Sequence, residues 1–221
     1  MKIEKTIAVI TGATGGIGRC FSQQLAKNGA TLLLVGRDTN ALKDLQHELS
    51  TMEEVHSDQI HLFSADLLKS EGRQTLVEYI ETFHHPVNTL INNAGDNQFG
   101  LLEDLSEGRI EQIMSLNTIT PMLLTRALLR HFGQQPAAQI VNIGSTFGSI
   151  GHPGFSTYSA SKYGLRGFSE ALGRELAESN ISVKYLSPRA TETELNSASV
   201  VAMNKELQVA MDPADLVARQ L

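Results

Sequence analysis

The sequence predicts an α/β fold of three layers, a doubly wound parallel sheet with helices on both faces, built as a single domain over residues 1–221. Short β-branched runs alternate with longer stretches of helical period, which is the pattern of strand–helix–strand units. Most of the runs hold consecutive apolar residues, and each is read as a strand buried on both faces. No internal repeat, low-complexity segment or linker divides the chain.

Six runs read as strands in order: Thr6 to Thr11, Thr31 to Gly36, Ile60 to Ala65, Asn88 to Asn93, Ala138 to Gly144 and Ile181 to Ser187. The first ends in TGATGGIG, Thr11 to Gly18, a glycine-rich turn that opens a helix. That helix is expected to stop at Asn28-Gly29, because glycine accepts the left-handed conformation of a helix C-terminus. A second helix is read at Ala41 to Leu49, with Leu42, Leu45 and Leu49 on one stripe. A long one is read between Leu105 and Phe132, carrying Ile110, Ile113, Met114 and Leu128. The chain ends in DPADLVARQL, apparently inside a helix, so a truncated C-terminus is one expectation.

Composition narrows the function classes. Hydrophobic residues make up 41% and charged residues 19% of the chain, enough for one sizeable core. A formal net charge of -6 without a long basic run argues against a nucleic-acid surface. Cys20 is the sole cysteine, which excludes an intramolecular disulfide and a cysteine-rich metal cluster; no metal site is expected. The N-terminal run IAVI is too short for a signal peptide, no stretch has the length of a membrane span, and the cytoplasm is the expected compartment.

Open parallel sheets bind ligands beyond the carboxyl ends of their strands. Gly12, Gly16 and Gly18 let the first turn approach a phosphate, and the helix behind it offers unpaired N–H groups and a positive dipole end. The spacing is neither GxGxxG nor that of a P-loop, so the turn alone leaves nucleotide binding and a bare tight turn both open. Tyr158 and Lys162 stand at i and i+4, on one face of a helix. A phenol has a reference pKa of about 10, and a cation within about 4–6 Å lowers it, so Lys162 is expected to tune Tyr158 into a general acid or base. Ser145, directly after the fifth run, would present a hydroxyl to the same cleft, without the flanks of a nucleophile elbow.

The Thr11-Gly12-x-x-x-Gly16-x-Gly18 turn, the NNAG of Asn92 to Gly95, Ser145, and the Tyr158-x-x-x-Lys162 pair thirteen residues later resemble, in that order, the short-chain dehydrogenase/reductase (SDR) family, in a bacterial-type branch. The resemblance implies a Rossmann-like NAD(P)-binding fold and hydride transfer between nicotinamide and a carbonyl or secondary alcohol. It makes Asn117, Ser145, Tyr158 and Lys162 the catalytic set, with Lys162 also on the nicotinamide ribose and Asn117 interrupting its helix. It places cofactor contacts at Gly12, Thr14, Gly15, Gly16, Ile17 and Gly18; at Asp66 and Leu67; at Asn93, Ala94 and Gly95; and at Pro188, Thr191 and Thr193. A homodimer or homotetramer is the implied assembly.

Residue by residue, other readings stand beside these. Asn117 is otherwise a surface polar residue, Asp66 a helix N-cap, and Asn93 a bond between neighbouring strands. Gly36 stands where an acid would bind the adenine ribose, and Arg37 follows, so NADP(H) is expected over NAD(H), with NAD(H) possible. Arg189 reads as solvent-facing or as a contact to an anionic substrate group. Phe99, Leu101, Phe147, His152, Phe155 and the stretch from Thr191 to Met203 are expected to flank the substrate pocket. A nucleotide-binding regulator on the same fold, or a catalytically impaired member, is the alternative.

Overall fold

Runs such as Leu32 to Val35, with no exposed surface at all, can only lie between two layers of other elements. The computed structural model describes residues 2–220 and places such runs in one six-stranded parallel sheet. Its strands are β1 (Ile7–Thr11), β2 (Thr31–Gly36), β3 (Ile60–Ser64), β4 (Thr89–Asn92), β5 (Ala138–Ile143) and β6 (Ile181–Leu186), in the order β3-β2-β1-β4-β5-β6. Each predicted run became a strand: β2 keeps its predicted bounds, β4 loses one residue at each end, and the other four lose one residue each.

Alternate residues of each strand feed two separate cores. Ala8, Ile10, Leu32, Leu34 and Ile91 face α1 (Gly16–Lys27) and α2 (Thr39–Ser50), where Leu42, Leu45 and Leu49 form the expected buried stripe. Val9, Leu33, Val35 and Leu90 face α3 (Ser70–Thr82) and the helical layer on the other side, where Leu124, Leu128 and Phe132 are buried. Helix α1 ends as expected at Asn28, with Gly29 at φ +82°.

The long helix is continuous in direction but not in winding. It runs as α4 (Glu107–Met114), a π-helical turn (Ser115–Ile119) and α5 (Thr120–Gly133). Ser106 caps its start by accepting the Arg109 N–H, and Pro121 sits where α5 begins. Helix α6 (Ser156–Glu175) lies alongside and carries Tyr158 and Lys162 near its start. Four buried polar side chains join this layer to the sheet: Asn92 Nδ2 donates to Asn142 Oδ1 (2.8 Å) and to Thr125 Oγ1 (3.4 Å), and Asn142 Nδ2 donates to Ser169 Oγ (2.8 Å).

After β6 the chain forms β7 (Thr191–Glu192), α7 (Ala198–Glu206), β8 (Asp212–Pro213) and α8 (Ala214–Ala218). β7 and β8 pair with each other, and Val217 and Ala218 of α8 close the core against α1. None of these short elements except the terminal helix was legible in the sequence. Among the described residues no helix is long and apolar enough to cross a membrane.

Candidate active site

The strand order reverses between β1 and β4, and the residues after those two strands are tied together there. Thr11 Oγ1 donates to Ile91 O (3.2 Å) and accepts the N–H groups of Asn93 and Ala94 (both 3.0 Å). Asn93 Nδ2 donates to Thr11 O and Gly12 O, so Asn93 does bridge neighbouring strands. Gly12 holds φ +63°, a Cβ on Gly18 would collide with Gly12 O, and one on Gly16 would stand 2.9 Å from Thr193 Cγ2. Gly15 caps α1 without a side-chain bond, which leaves the first-turn N–H groups facing a cavity of about 330 Å³. Gly12, Gly15, Gly16, Ile17 and Gly18 line one wall; Asn93, Ala94, Gly95, Tyr158, Lys162 and Thr193 line the rest.

A smaller cavity of about 140 Å³ continues past Thr14 and Gly36 to Arg37, Asp66 and Leu67. Arg37 is exposed, and among the described residues its guanidinium makes no ion pair or hydrogen bond. Asp38 is committed elsewhere: its carboxylate accepts the N–H groups of Asn40 and Ala41 and caps α2. The N-cap reading of Asp66 is corrected. Helix α3 starts only at Ser70 behind Lys69, and Asp66 Oδ1 instead accepts the Leu68 N–H in a local turn.

Of the four expected catalytic residues, Tyr158 and Lys162 line the glycine-rich cavity, Ser145 lines a neighbouring cavity with Tyr158, and Asn117 stands behind Gly95 without lining either. Asn117 sits in the π-helical turn, fully buried rather than on the surface; its Oδ1 accepts from Asp96 N (2.8 Å), and its Nδ2 donates to Asp96 O (2.8 Å) and Ser161 Oγ (2.9 Å). Ser145 Oγ accepts the Phe147 N–H (3.1 Å). Lys162 Nζ donates to Ile143 O (2.9 Å) and lies 5.7 Å from the centroid of the Tyr158 ring.

The expected lowering of the phenol pKa is not found. Burial pushes Tyr158 up to about 12, against a smaller opposing effect of the Ser145 hydroxyl. The ammonium lies over the ring and is tied to a carbonyl, so desolvation wins. The same burial pushes Lys162 down to about 8.

Tyr158 also lines a third cavity, of about 410 Å³, with Ser145, Phe147, Phe155, Val200 and Met203. His152 stacks on Phe147 there, ring centroids 5.5 Å apart. Pro188 and Thr191 line this cavity and not the glycine-rich one, whereas Thr193 lines both. Phe99 and Leu101 do not line it: Phe99 packs on Phe155 at 5.2 Å from outside, and Leu101 is exposed. Arg189 is exposed, as in the solvent-facing reading, and also lines the rim of this cavity, while its guanidinium donates to Asp212 through two bonds of 2.6 and 3.0 Å. Leu207 and Val209, beyond α7, complete the apolar wall and were missed, since their pattern shows no element to place them. The Asp96–Arg109 pair (2.5 Å), which braces the loop after β4, was also missed; its partners come from two elements with no shared motif.

The sequence profile of short chain dehydrogenases matches residues 6–204. Mouse dehydrogenase/reductase SDR family member 7B is 33% identical over 201 residues, 90% of this chain and 62% of that protein's length. A short-chain dehydrogenase from Sphingobium yanoikuyae, solved in complex with NADPH, is 29% identical with a TM-score of 0.86, covering 97% of this chain and 81% of the other. A short chain dehydrogenase/reductase from Burkholderia phymatum, in complex with NAD, is 25% identical with a TM-score of 0.86, covering 99% and 85%.

Proposed function

The chain belongs to the short-chain dehydrogenase family, whose NAD(P)-dependent oxidoreductase chemistry on CH–OH and C=O groups is the premise from which we propose that it is an NADP(H)-dependent carbonyl reductase, with Tyr158 as general acid. One observation carries this reading: Tyr158 forms part of the walls of both the glycine-rich cavity and the apolar one. A proton donor at that junction faces whatever reacts between the two.

A dinucleotide fits the residues present. The cradle at Gly12, Gly16 and Gly18 has no room for a Cβ, and the uncapped N-terminus of α1 suits a pyrophosphate. Thr14, Asp66 and Leu67 would hold the adenosine end; Asn93, Ala94, Gly95, Lys162 and Thr193 would hold the nicotinamide end, with Pro188 and Thr191 beside it on the substrate side. Arg37, exposed and unpaired, favours a 2′-phosphate over a bare ribose. A nicotinamide held there would supply the hydride chemistry at the substrate carbon.

Ser145 orients the substrate oxygen with its hydroxyl, and Tyr158, held protonated by burial, donates the proton that oxygen needs. Lys162 fixes the ribose and keeps positive charge near the phenol. Asn117 anchors the loop at Asp96 that borders the nicotinamide end. The substrate class that the apolar cavity favours is a ketone or secondary alcohol with an apolar substituent, enclosed by Phe147, Phe155, Val200 and Met203. Exposed Ile119, Met122 and Leu123 beside the π-helical turn suit self-association as a homodimer or homotetramer.

Tyr158→Phe tests the mechanism. Turnover of aryl and alkyl ketones should fall by about 10²–10⁴-fold while NADPH binding, followed by fluorescence, stays near wild type. Undiminished turnover in this variant ends the assignment of Tyr158.

A further inference from the structure

Three imidazoles meet at a place remote from the cleft. His61 lies near the amino end of β3, the edge strand, and His84 and His85 follow α3 directly. One ring nitrogen from each lies within 4.8 Å of the other two. The His84 and His85 ring centroids are 4.2 Å apart, and those of His61 lie 5.7 and 5.4 Å from them. The Phe83 ring borders all three, at 4.8, 4.9 and 5.4 Å, and walls the cluster on one side.

The Nε2 atom of His61 is buried and has no hydrogen-bond partner among the described residues. A buried polar atom left in this way costs about 1–3 kcal/mol and calls for an explanation. Charged, the three imidazoles would repel one another; neutral, each could donate an N–H to another's lone pair, yet no hydrogen bond joins them among the described residues. A cation removes both difficulties.

We propose that His61, His84 and His85 bind a divalent transition metal of the zinc type, three imidazole nitrogens taking three tetrahedral positions and water the fourth. Imidazole is a borderline donor suited to this ion, and no thiolate or carboxylate belongs to the cluster. Zinc–nitrogen bonds of about 2.0–2.1 Å set the three nitrogens about 3.4 Å apart, so the rings must close by roughly 1.4 Å at most. His84 is exposed and stands in the connection between α3 and β4, where it has room to turn.

The site stands at the amino ends of the strands, and the cleft at their carboxyl ends. Its ion would tie the sheet edge to the connection after α3, independently of the dinucleotide. This departs from the sequence expectation of no metal site.

The test is a titration of the tag-free full chain with Zn²⁺ by calorimetry and with Co²⁺ by visible absorption. One ion per chain is expected, with the intense d–d bands of tetrahedral cobalt. His84→Ala and His85→Ala, both at positions with exposed surface, should each weaken binding by roughly 10–100-fold or more, with circular dichroism unchanged. His47→Ala, on the outer face of α2, should leave it intact. Equal affinity in wild type and the His84→Ala/His85→Ala double variant, or a loss as large in His47→Ala, overturns the site.

Discussion

At the scale of single residues, the cofactor reading rests on Arg37, a guanidinium that makes no hydrogen bond or ion pair among the described residues. Arg37→Ala should weaken NADPH by about 10–100-fold, the worth of a charge-assisted hydrogen bond of about 1.5–3 kcal/mol, and leave NADH within a factor of about 2. Parallel fluorescence titrations check this, and equal losses for both cofactors remove Arg37 from the 2′-phosphate. Tightly packed glycines supply a second residue-scale expectation. Gly18→Ala would push a methyl into Gly12 O, which is backbone and cannot swing aside, so dinucleotide binding should be lost in the same titration. The candidate site residues could be picked out of the sequence because their order along the chain is itself a pattern. Their environments were not. That Tyr158 would be raised rather than lowered depends on the direction in which Lys162 Nζ points, toward Ile143 O, and no spacing encodes that.

At the scale of elements, strands were easier to read than helix interruptions. An uninterrupted apolar run such as Leu32 to Val35 has one reading, whereas Ser115 to Ile119 carries no proline or glycine to announce a π-helical turn. Only the resemblance, through Asn117, pointed there. The segment after β6 escaped because α7 has no amphipathic stripe: Val200 and Asn204 are its only buried residues. Helix starts make a quantitative check. Asp38 caps α2 through two N–H groups, so Asp38→Ala should lower stability by about 1 kcal/mol in urea unfolding, without changing the slope. A loss near zero would mean that α2 is held by Leu42, Leu45 and Leu49 alone. Those three are fully buried, and Leu45→Ala should cost about 2–5 kcal/mol in the same assay.

At the scale of the whole molecule, the buried Tyr158 and Lys162 couple stability to alkaline pH. Lys162 titrates at about 8 folded against 10.5 unfolded, so between those values the unfolded chain binds more protons and stability rises with pH. Tyr158 titrates at about 12 folded against 10.0 unfolded, so from 10 upward the folded chain binds more protons and its contribution is lost as pH rises. Thermal unfolding should therefore show a rise from pH 8 toward 10 that Lys162→Met abolishes. The same variant should be more stable than wild type at pH 7, since a buried ammonium is replaced by an apolar chain, and inactive. A Tm of Lys162→Met that tracks wild type at every pH would contradict the burial. The paired amides of Asn92 and Asn142 bear on the same precision from further off. Sliding β5 along β4 by two residues would keep the same faces covered, and apolar side chains alone would scarcely resist it. In that slipped seating Asn92 would face Ile140 or Gly144 and Asn142 would face Ala94 or Leu90, none with a side chain that can pair with an amide, at about 1–3 kcal/mol apiece, and only the observed alignment mates them. The carbonyl that receives Lys162 belongs to the very next residue, Ile143, and a slip would carry it about 6.6 Å away. The two asparagines thus act as a keyed joint, and the aim of a lysine in the cleft is inherited from a pair of amides sealed inside the sheet.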